Sequence, residues 1–123
     1  MQITSLGRAS LRVRDLEASA RFYSQILRMP IVRQSPGHNQ LGLGVGRCNE
    51  FVLEAGGTTS TQRSGLPDVA FVIGNNPRTL QAAATHLQEN GVDFEAVAHE
   101  EYESLYLRDP DGHLIELYYW PEW

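Results

Sequence analysis

Polar side chains able to bind or activate a small molecule recur at alternate positions of several short segments. Because successive side chains of a β-strand point to opposite faces, these residues would share one face of a sheet. The face comprises Arg8, Ser10, Arg12, Asp68, Ser104, Tyr106, Arg108, Glu116 and Tyr118. On an open sheet it would simply be solvated, whereas on a curved sheet it would line a concave pocket. Its guanidinium, phenol and carboxylate groups would then bind a small anionic or aromatic molecule.

The same segments are apolar at the other parity, which predicts a buried face. That face comprises Ala9, Leu11, Val13, Val69, Phe71, Ile73, Leu105, Leu107, Ile115 and Leu117. Two helices are predicted to cover it. The first begins after the N-cap Asp15 and ends before Pro30. The second begins after the N-cap Asn76, has Pro77 at its first position, and ends at Gly91.

The elements follow one plan twice. Strands are predicted at 9–13, 31–33, 41–45 and 50–54, and again at 69–73, 93–97, 105–108 and 114–119. The first strands of the two halves begin 60 residues apart (Ala9 and Val69), which indicates an internal duplication of a strand, a helix and three strands. A ferredoxin-like fold is the alternative, but it has only two strands between its helices. We expect one domain over 1–123, with module one at 1–56, a polar connector at 57–66 and module two at 67–123.

Composition narrows the possible functions. The chain has 123 residues, with 10 Lys and Arg against 15 Asp and Glu, a net charge of -5. Nucleic-acid binding is not expected, because it needs clustered basic residues. No apolar run approaches the roughly 18 residues of a membrane-spanning helix, so we expect a cytoplasmic protein. The single cysteine, Cys48, excludes an internal disulfide and is interpreted as a small apolar residue.

Three segments carry a family resemblance. They are LRVRDLEASARFYSQIL (11–27), DVAFVI (68–73) and YLRDPDGHLIELYY (106–119). They resemble the vicinal oxygen chelate superfamily, which includes glyoxalase I, bleomycin-resistance proteins and extradiol dioxygenases. The resemblance implies an α+β fold of two tandem βαβββ modules that form a curved mixed sheet around a concave cavity. It also implies a divalent metal in that cavity and a homodimer.

The resemblance places the metal ligands at Arg8, Asp68 and Glu116. Only Glu116 is the residue usually found at its position, and Arg8 has no lone pair to offer a metal. We therefore expect a degraded site in which the Arg8 guanidinium pairs with Asp68 or Glu116 and takes the place of the metal. The alternative is weak coordination by Asp68 and Glu116, which would suit Mg or Mn better than Zn or Fe.

Histidines and aromatic residues supply the other candidates. His38 and His99 lie in segments that, by resemblance, border the mouth of the cavity. His99 and Tyr106 are candidates for proton transfer, and Tyr106 and Tyr118 for contact with a ligand. We expect surface or structural roles for His86 and His113. The terminal Trp120 and Trp123 would cover the cavity or a dimer seam.

Three functions remain open. The first is a small-molecule binding protein with its metal site degraded. The second is a divalent-metal-dependent lyase, isomerase, transferase or dioxygenase acting on a substrate with vicinal oxygens. Among these an extradiol dioxygenase is least expected, since it needs two histidine ligands that are missing. The third is an interaction or regulatory domain that reuses the fold.

Overall fold

The computed structural model describes residues 1–35, 37, 39–47, 49–57 and 66–121. The chain divides into two compact units, unit 1 (Met1–Thr59) and unit 2 (Ser60–Trp123). The division falls inside the predicted connector, while the expectation of a single domain stays a prediction. No helix of the described residues is long and apolar enough to cross a membrane.

The described residues of unit 1 form one α-helix, one π-helical turn and one four-stranded sheet. Its elements are β1 (Arg8–Val13), α1 (Leu16–Arg21), a π-helical turn (Phe22–Ile26), β2 (Ile31–Ser35), β3 (Gln40–Val45) and β4 (Asn49–Ala55). The strand order is β1-β4-β3-β2. β1 runs parallel to β4, and the other pairs are antiparallel.

Unit 2 repeats this plan. Its elements are β5 (Val69–Gly74), α2 (Pro77–Glu89), β6 (Phe94–Ala98), β7 (Glu103–Arg108) and β8 (Leu114–Tyr119). The strand order is β5-β8-β7-β6, again with one parallel pair, β5 with β8. The α+β fold class and the duplicated βαβββ plan are therefore confirmed. Over the described residues, four strands (β2 to β5) lie between α1 and α2, so the ferredoxin-like alternative is wrong.

Both predicted N-caps are present. The Asp15 side chain accepts a hydrogen bond from the backbone N–H of Ala18 at 3.1 Å. The Asn76 side chain accepts from the N–H groups of Arg78 and Thr79 at 3.0 and 3.3 Å. These bonds satisfy donors that the first turn of a helix leaves without a partner, and each cap contributes about 1 kcal/mol.

The helix ends differ in their agreement with prediction. Gly91 follows the last residues of α2 with φ +69°, as expected for a helix that ends in the left-handed conformation. The first helix was expected to continue as an α-helix toward Pro30, but its α-helical part ends at Arg21. The next turn is π-helical, and the N–H of Leu27 donates to the carbonyl of Phe22, five residues earlier, at 3.1 Å. The wider turn accommodates Tyr23, which is fully buried against Phe51.

The predicted alternation of faces is confirmed in the register of unit 2. Leu105 and Leu107 on β7 face Leu117 and Ile115 on β8, and all four are buried. Helix α2 packs on this sheet through contacts with β5, β7 and β8. Each fully buried aliphatic side chain contributes about 1.5–3 kcal/mol to stability, so this face forms the core of the unit. The opposite parity pairs Ser104 with Tyr118, Tyr106 with Glu116, and Arg108 with Leu114.

Gly57 makes a close backbone approach that no other residue would permit. Its N–H donates to the carbonyl of Val13 at 3.0 Å. A Cβ atom at Gly57 would lie 2.6 Å from the carbonyl carbon of Arg12 and 2.7 Å from the nitrogen of Val13. Both are backbone atoms of β1, which is paired with β4. Neither atom can move without displacing the strand.

We therefore expect Gly57→Ala to lower the free energy of unfolding by about 1–3 kcal/mol, the usual cost of overpacking. Urea denaturation followed by circular dichroism measures the change. Gly7→Ala is the control, because a Cβ atom there meets nothing within 4 Å. Equal stability of the two variants would contradict the close approach.

Candidate functional site

A buried carboxylate lies at the centre of the polar face of unit 2. Glu116 on β8 is 7% exposed, and Ser104 on the neighbouring strand β7 is 0% exposed. The Ser104 hydroxyl donates a hydrogen bond of 2.5 Å to Oε2 of Glu116. Burying a carboxylate without a hydrogen bond costs free energy. The hydrogen bond from Ser104 therefore allows Glu116 to be buried in the unit.

His99 and Tyr106 extend this pair. Nε2 of His99 lies 3.1 Å from Oγ of Ser104 and 4.0 Å from Oε2 of Glu116. The Tyr106 hydroxyl lies 3.3 Å from the same nitrogen. The loop between β6 and β7 positions His99, because its backbone N–H donates to the carbonyl of Tyr102 at 2.8 Å. We call Glu116, Ser104, His99 and Tyr106 the Glu116 cluster.

Aromatic rings lie beside the Glu116 cluster. His99 stacks on Tyr102 with the ring centroids 4.4 Å apart and an interplanar angle of 26°. Tyr102 contacts Tyr118 at 5.3 Å and Trp120 at 5.4 Å between centroids. Tyr118 and Trp120 lie 6.5 Å apart in an edge-to-face arrangement. We call Tyr102, Tyr118 and Trp120 the aromatic wall.

The environment of the cluster changes the acidity of two phenols. Burial raises the pKa of Tyr106 above its ordinary value of 10.0, and the nearby Glu116 carboxylate raises it further. Burial also raises the pKa of Tyr118, again with a contribution from the charge of Glu116. Both effects disfavour the phenolate. The two hydroxyls are therefore retained as hydrogen-bond donors at neutral pH.

Unit 1 carries a carboxylate at the corresponding place, which the sequence analysis missed. Glu50 on β4 is paired in register with Arg8 on β1, as Glu116 on β8 is paired with Ala70 on β5. The internal duplication could have predicted Glu50, since β4 and β8 are the last strands of their modules and Glu116 lies on β8. Gly42 on β3 leaves room for the Glu50 side chain, because a Cβ atom there would lie 2.8 Å from Cδ of Glu50.

Two guanidinium groups hold Glu50. Nη2 of Arg33 donates to Oε1 at 2.7 Å and Nε donates to Oε2 at 3.2 Å, which makes the contact bidentate. Nε of Arg8 lies 3.3 Å from Oε1. Arg33 also donates to the Ser35 hydroxyl at 2.8 Å. The Arg33 hydrogen bonds lower the pKa of Glu50 below its ordinary value of 4.5, and the charges of Arg33 and Arg8 lower it further.

Not all the predicted site residues join the Glu116 cluster. Oδ2 of Asp68 accepts a hydrogen bond from the N–H of Leu114 at 2.8 Å and lies 3.8 Å from Nδ1 of His113. Nη1 of Arg108 donates to the carbonyl of Gly112 at 2.9 Å, within its own turn. Arg12 is exposed on β1. His38, Cys48 and Trp123 lie outside the described residues.

The resemblance implies a metal ion held by three side chains. Over the described residues, no group of three or more His, Cys, Asp and Glu side chains is placed to hold a metal ion. Glu50 is ion-paired with two guanidiniums, Glu116 accepts a hydrogen bond from the Ser104 hydroxyl, and Asp68 accepts one from the backbone N–H of Leu114. These described side chains do not fit a three-ligand metal site. The pairing of Arg8 with Asp68 or Glu116 stays a prediction, and the partner of Arg8 within unit 1 is Glu50.

The Glu50 ion pair makes stability depend on acid. Because the pKa of Glu50 is lowered in the folded state, its contribution is present above the ordinary carboxyl pKa and is lost as the pH falls. We expect Arg33→Gln to reduce the drop in the free energy of unfolding between about pH 6 and pH 3, measured by urea denaturation. Arg21→Gln is the control, since Arg21 pairs with the exposed Glu17 on the same helix α1. An unchanged acid dependence in Arg33→Gln would show that this contact does not hold Glu50.

The charge of Glu116 is expected to be visible in the tyrosine titration. Glu116→Gln removes the negative charge, so the pKa values of Tyr106 and Tyr118 should fall toward 10.0 while the effect of burial remains. Tyrosinate absorbance measured against pH reports the change. Glu103→Gln, an exposed carboxylate on the same strand as Tyr106, is the control. A titration that shifts equally in both variants would contradict a specific effect of Glu116.

Comparisons with known proteins agree with this architecture. A family model described as the Glyoxalase/Bleomycin resistance protein/Dioxygenase superfamily matches residues 5–117. A catechol-2,3-dioxygenase of Bacillus subtilis (strain 168) is 30% identical over 119 residues, covering 94% of this chain and 41% of that protein. The chain thus spans less than half the length of this relative.

Solved structures show the same fold. An integron cassette protein from the mobile metagenome of the Halifax Harbour sewage outfall has a TM-score of 0.78 and 25% identity, covering 95% of this chain and 99% of that one. A lactoylglutathione lyase from Agrobacterium tumefaciens has a TM-score of 0.80 and 16% identity, covering 100% of this chain and 98% of that one. At 16% identity the second likeness concerns the fold alone.

Proposed function

The chain belongs to the glyoxalase/bleomycin resistance protein/dioxygenase superfamily, and on that premise we propose that it binds a small aromatic molecule against the aromatic wall of unit 2. One observation carries the proposal. Tyr102, Tyr118 and Trp120 contact one another beside a buried carboxylate whose hydrogen bonds are internal. Ring surface next to a few convergent polar groups is the usual composition of a ligand pocket.

The chemistry of the wall favours a planar ligand. Offset or edge-to-face contact between two rings contributes about 0.5–1.5 kcal/mol beyond the area that it buries. Tyr118, Tyr102 and Trp120 are only partly buried, so part of their ring surface can be contacted by a ligand. The raised pKa of Tyr106 keeps a hydroxyl donor beside the rings. An aromatic molecule with a hydrogen-bond acceptor fits this combination.

A second ligand class, the anionic one, has its support in unit 1. Arg8 and Arg33 share the single carboxylate of Glu50, so this group carries one net positive charge. The Arg8 side chain is 68% exposed. A carboxylate or phosphate would be attracted to such a guanidinium. The aromatic proposal is preferred, because Ser104 and Glu116 are buried and the three rings are half-buried, whereas the Arg8 side chain is largely exposed.

The metal-dependent alternative gains no support from the described side chains. The two carboxylates expected as ligands, Asp68 and Glu116, each accept a hydrogen bond from the protein, and Glu50 is ion-paired. We therefore propose ligand binding that does not require a metal ion.

A cytoplasmic homodimer is proposed with it. Strand β2 lies at the edge of its sheet and exposes Ile31 and Val32, and an apolar sheet edge favours association with a second copy.

Binding is tested with 2-naphthol and 2-naphthoate, two probes that share a ring system and differ in charge. Saturation-transfer NMR detects binding, and a titration gives Kd for the wild type, Tyr102→Ala and Tyr118→Ala. We expect each variant to weaken binding about tenfold or more, which corresponds to the loss of about 1.4 kcal/mol of ring contact.

Phe94→Ala is the matched control. It removes an aromatic ring from β6 of the same unit, at the parity of Leu107 on the apolar face of the sheet. Its Kd should equal that of the wild type. Binding of neither probe would contradict the proposed function, as would binding that Tyr102→Ala leaves unchanged. Strong preference for 2-naphthoate, lost in Arg8→Gln, would favour the anionic class instead.

A further inference from the structure

A groove lies on the apolar face of unit 2, the face opposite to the one that carries Tyr106 and Tyr118. It has a volume of about 310 Å³ and is lined by residues of α2, β6 and β7. We propose that it binds a small organic cation, an ammonium group carried by a short apolar chain. We call it the Glu103 groove, after the one charged side chain among the described residues that line it. The proposal does not rest on the aromatic ligand site.

The groove exists because the edge strand carries small side chains. Strand β6 is the last in the order β5-β8-β7-β6, while α2 packs on β5, β7 and β8. On the apolar face, Ala96 of β6 is paired with Leu105 of β7. Leu105 is 2% exposed, whereas Ala96 and Ala98 are exposed. The alanines leave open the space that larger side chains at these positions would fill.

The floor of the groove is apolar. It is formed by Leu80 on α2 and Leu105 on β7, which are 5% and 2% exposed, and the half-buried Ala84 borders it. A hydrocarbon chain laid on this floor would be removed from water together with the surface that it covers, which favours binding. The volume of about 310 Å³ lies at the lower end of the range for small-molecule pockets. The groove therefore suits a small ligand.

A carboxylate at the rim gives the groove its charge preference. Glu103 begins β7, is exposed, and is paired with Ala98 on β6. Over the described part of the chain, no cationic side chain pairs with Glu103, whereas Arg33 holds Glu50 and Arg21 holds Glu17. The Glu103 carboxylate can therefore accept hydrogen bonds from an ammonium group, and such bonds are strengthened by charge.

The charge of the whole unit also favours a cation. Unit 2 (Ser60–Trp123) has 3 Arg against 11 Asp and Glu, a net charge of -8, whereas unit 1 has 7 Arg against 4 Asp and Glu. An acidic surface attracts cations and repels anions before either makes contact. Gln81 on α2 also lines the groove, and its amide oxygen can accept a second hydrogen bond from an ammonium group.

Three probes with one six-carbon chain separate the apolar contribution from the charge. They are hexylammonium, hexan-1-ol and hexanoate. Proton–nitrogen NMR of the labelled wild-type protein gives Kd for each probe and shows which backbone amides shift. We expect hexylammonium to bind about threefold or more tightly than hexan-1-ol, the effect of one exposed ion pair, and hexanoate to bind most weakly. The shifts should centre on Ala84, Ala96 and Leu105, and not on Tyr118 or Trp120.

Two substitutions test the two parts of the groove. Glu103→Gln should weaken hexylammonium about three- to fivefold and leave hexan-1-ol unchanged. Ala96→Leu fills the open space, so it should weaken both of these probes about tenfold or more.

Each substitution has a matched control that should bind as the wild type does. Glu95→Gln removes an exposed carboxylate from β6, but Glu95 is paired with Tyr106 and so lies on the polar face. Ala82→Leu adds the same side chain at an exposed position of α2 that does not line the groove.

Several results would contradict the inference. Equal Kd values for hexylammonium and hexan-1-ol, or tighter binding of hexanoate, would overturn the cationic ligand. Binding that Ala96→Leu leaves unchanged, or that Tyr102→Ala weakens, would place the probe outside the groove. Groove amides that shift with protein concentration alone would identify a second copy of the chain as the occupant and overturn the small ligand.

The wild-type amide shifts decide the question even where a variant fails to fold. The inference and the proposed function can also fail separately. Binding of 2-naphthol that depends on Tyr102 reports on the aromatic wall, whereas binding of hexylammonium that depends on Glu103 and Ala96 reports on the Glu103 groove.

Discussion

The hydrogen bond between Ser104 and Glu116 is the contact on which the rest of the candidate site depends. A carboxylate that is 7% exposed needs a donor, and Ser104 supplies it from the adjacent strand. Because the single O–H of Ser104 donates its hydrogen bond to Glu116, the Ser104 oxygen can only accept a hydrogen bond from His99, which orients the histidine ring. The charge of Glu116 then disfavours ionisation of Tyr106 and Tyr118. Burial and the charge of Glu116 thus act together to raise the pKa of both phenols.

The two units solve the same problem differently. In unit 1, Glu50 is neutralised by Arg33 and Arg8, and its side chain remains partly exposed. In unit 2, Glu116 is met by uncharged hydroxyls and a histidine. The residue paired with the carboxylate on the neighbouring strand also differs. Gly44 on β3 is paired with Glu50, and Tyr106 on β7 is paired with Glu116. A carboxylate that is fully ion-paired has few interactions left to offer a ligand. A carboxylate held by hydroxyl and imidazole groups can still interact with a ligand through those neighbours.

Strand parity predicted much of the site, because a period of two residues assigns faces without tertiary information. It placed Ser104, Tyr106, Glu116 and Tyr118 together, and the register confirms this. Parity alone did not predict that Asp68, at a strand end, turns to the backbone of Leu114. Nor did it predict the π-helical turn, in which the fully buried Tyr23 lies, because backbone bonding to the fourth and to the fifth preceding residue differs little locally. The contact of His99 with Ser104 depends on how the loop between β6 and β7 closes, which propensity does not determine.

The position of His99 in that loop has a consequence for how such a protein can change over generations. Ser104, Tyr106 and Glu116 stand on paired strands, where an insertion would shift the register and move every side chain to the other face. His99 lies outside the strands, where a backbone bond to Tyr102, a ring stack on Tyr102 and the contact of Nε2 with Ser104 hold it. Replacing the few residues between Ala98 and Glu103 would exchange one functional group for another and leave the sheet intact. The duplicated framework can therefore be inherited unchanged while substitutions in a segment of four residues, His99 to Tyr102, change the functional groups of the site.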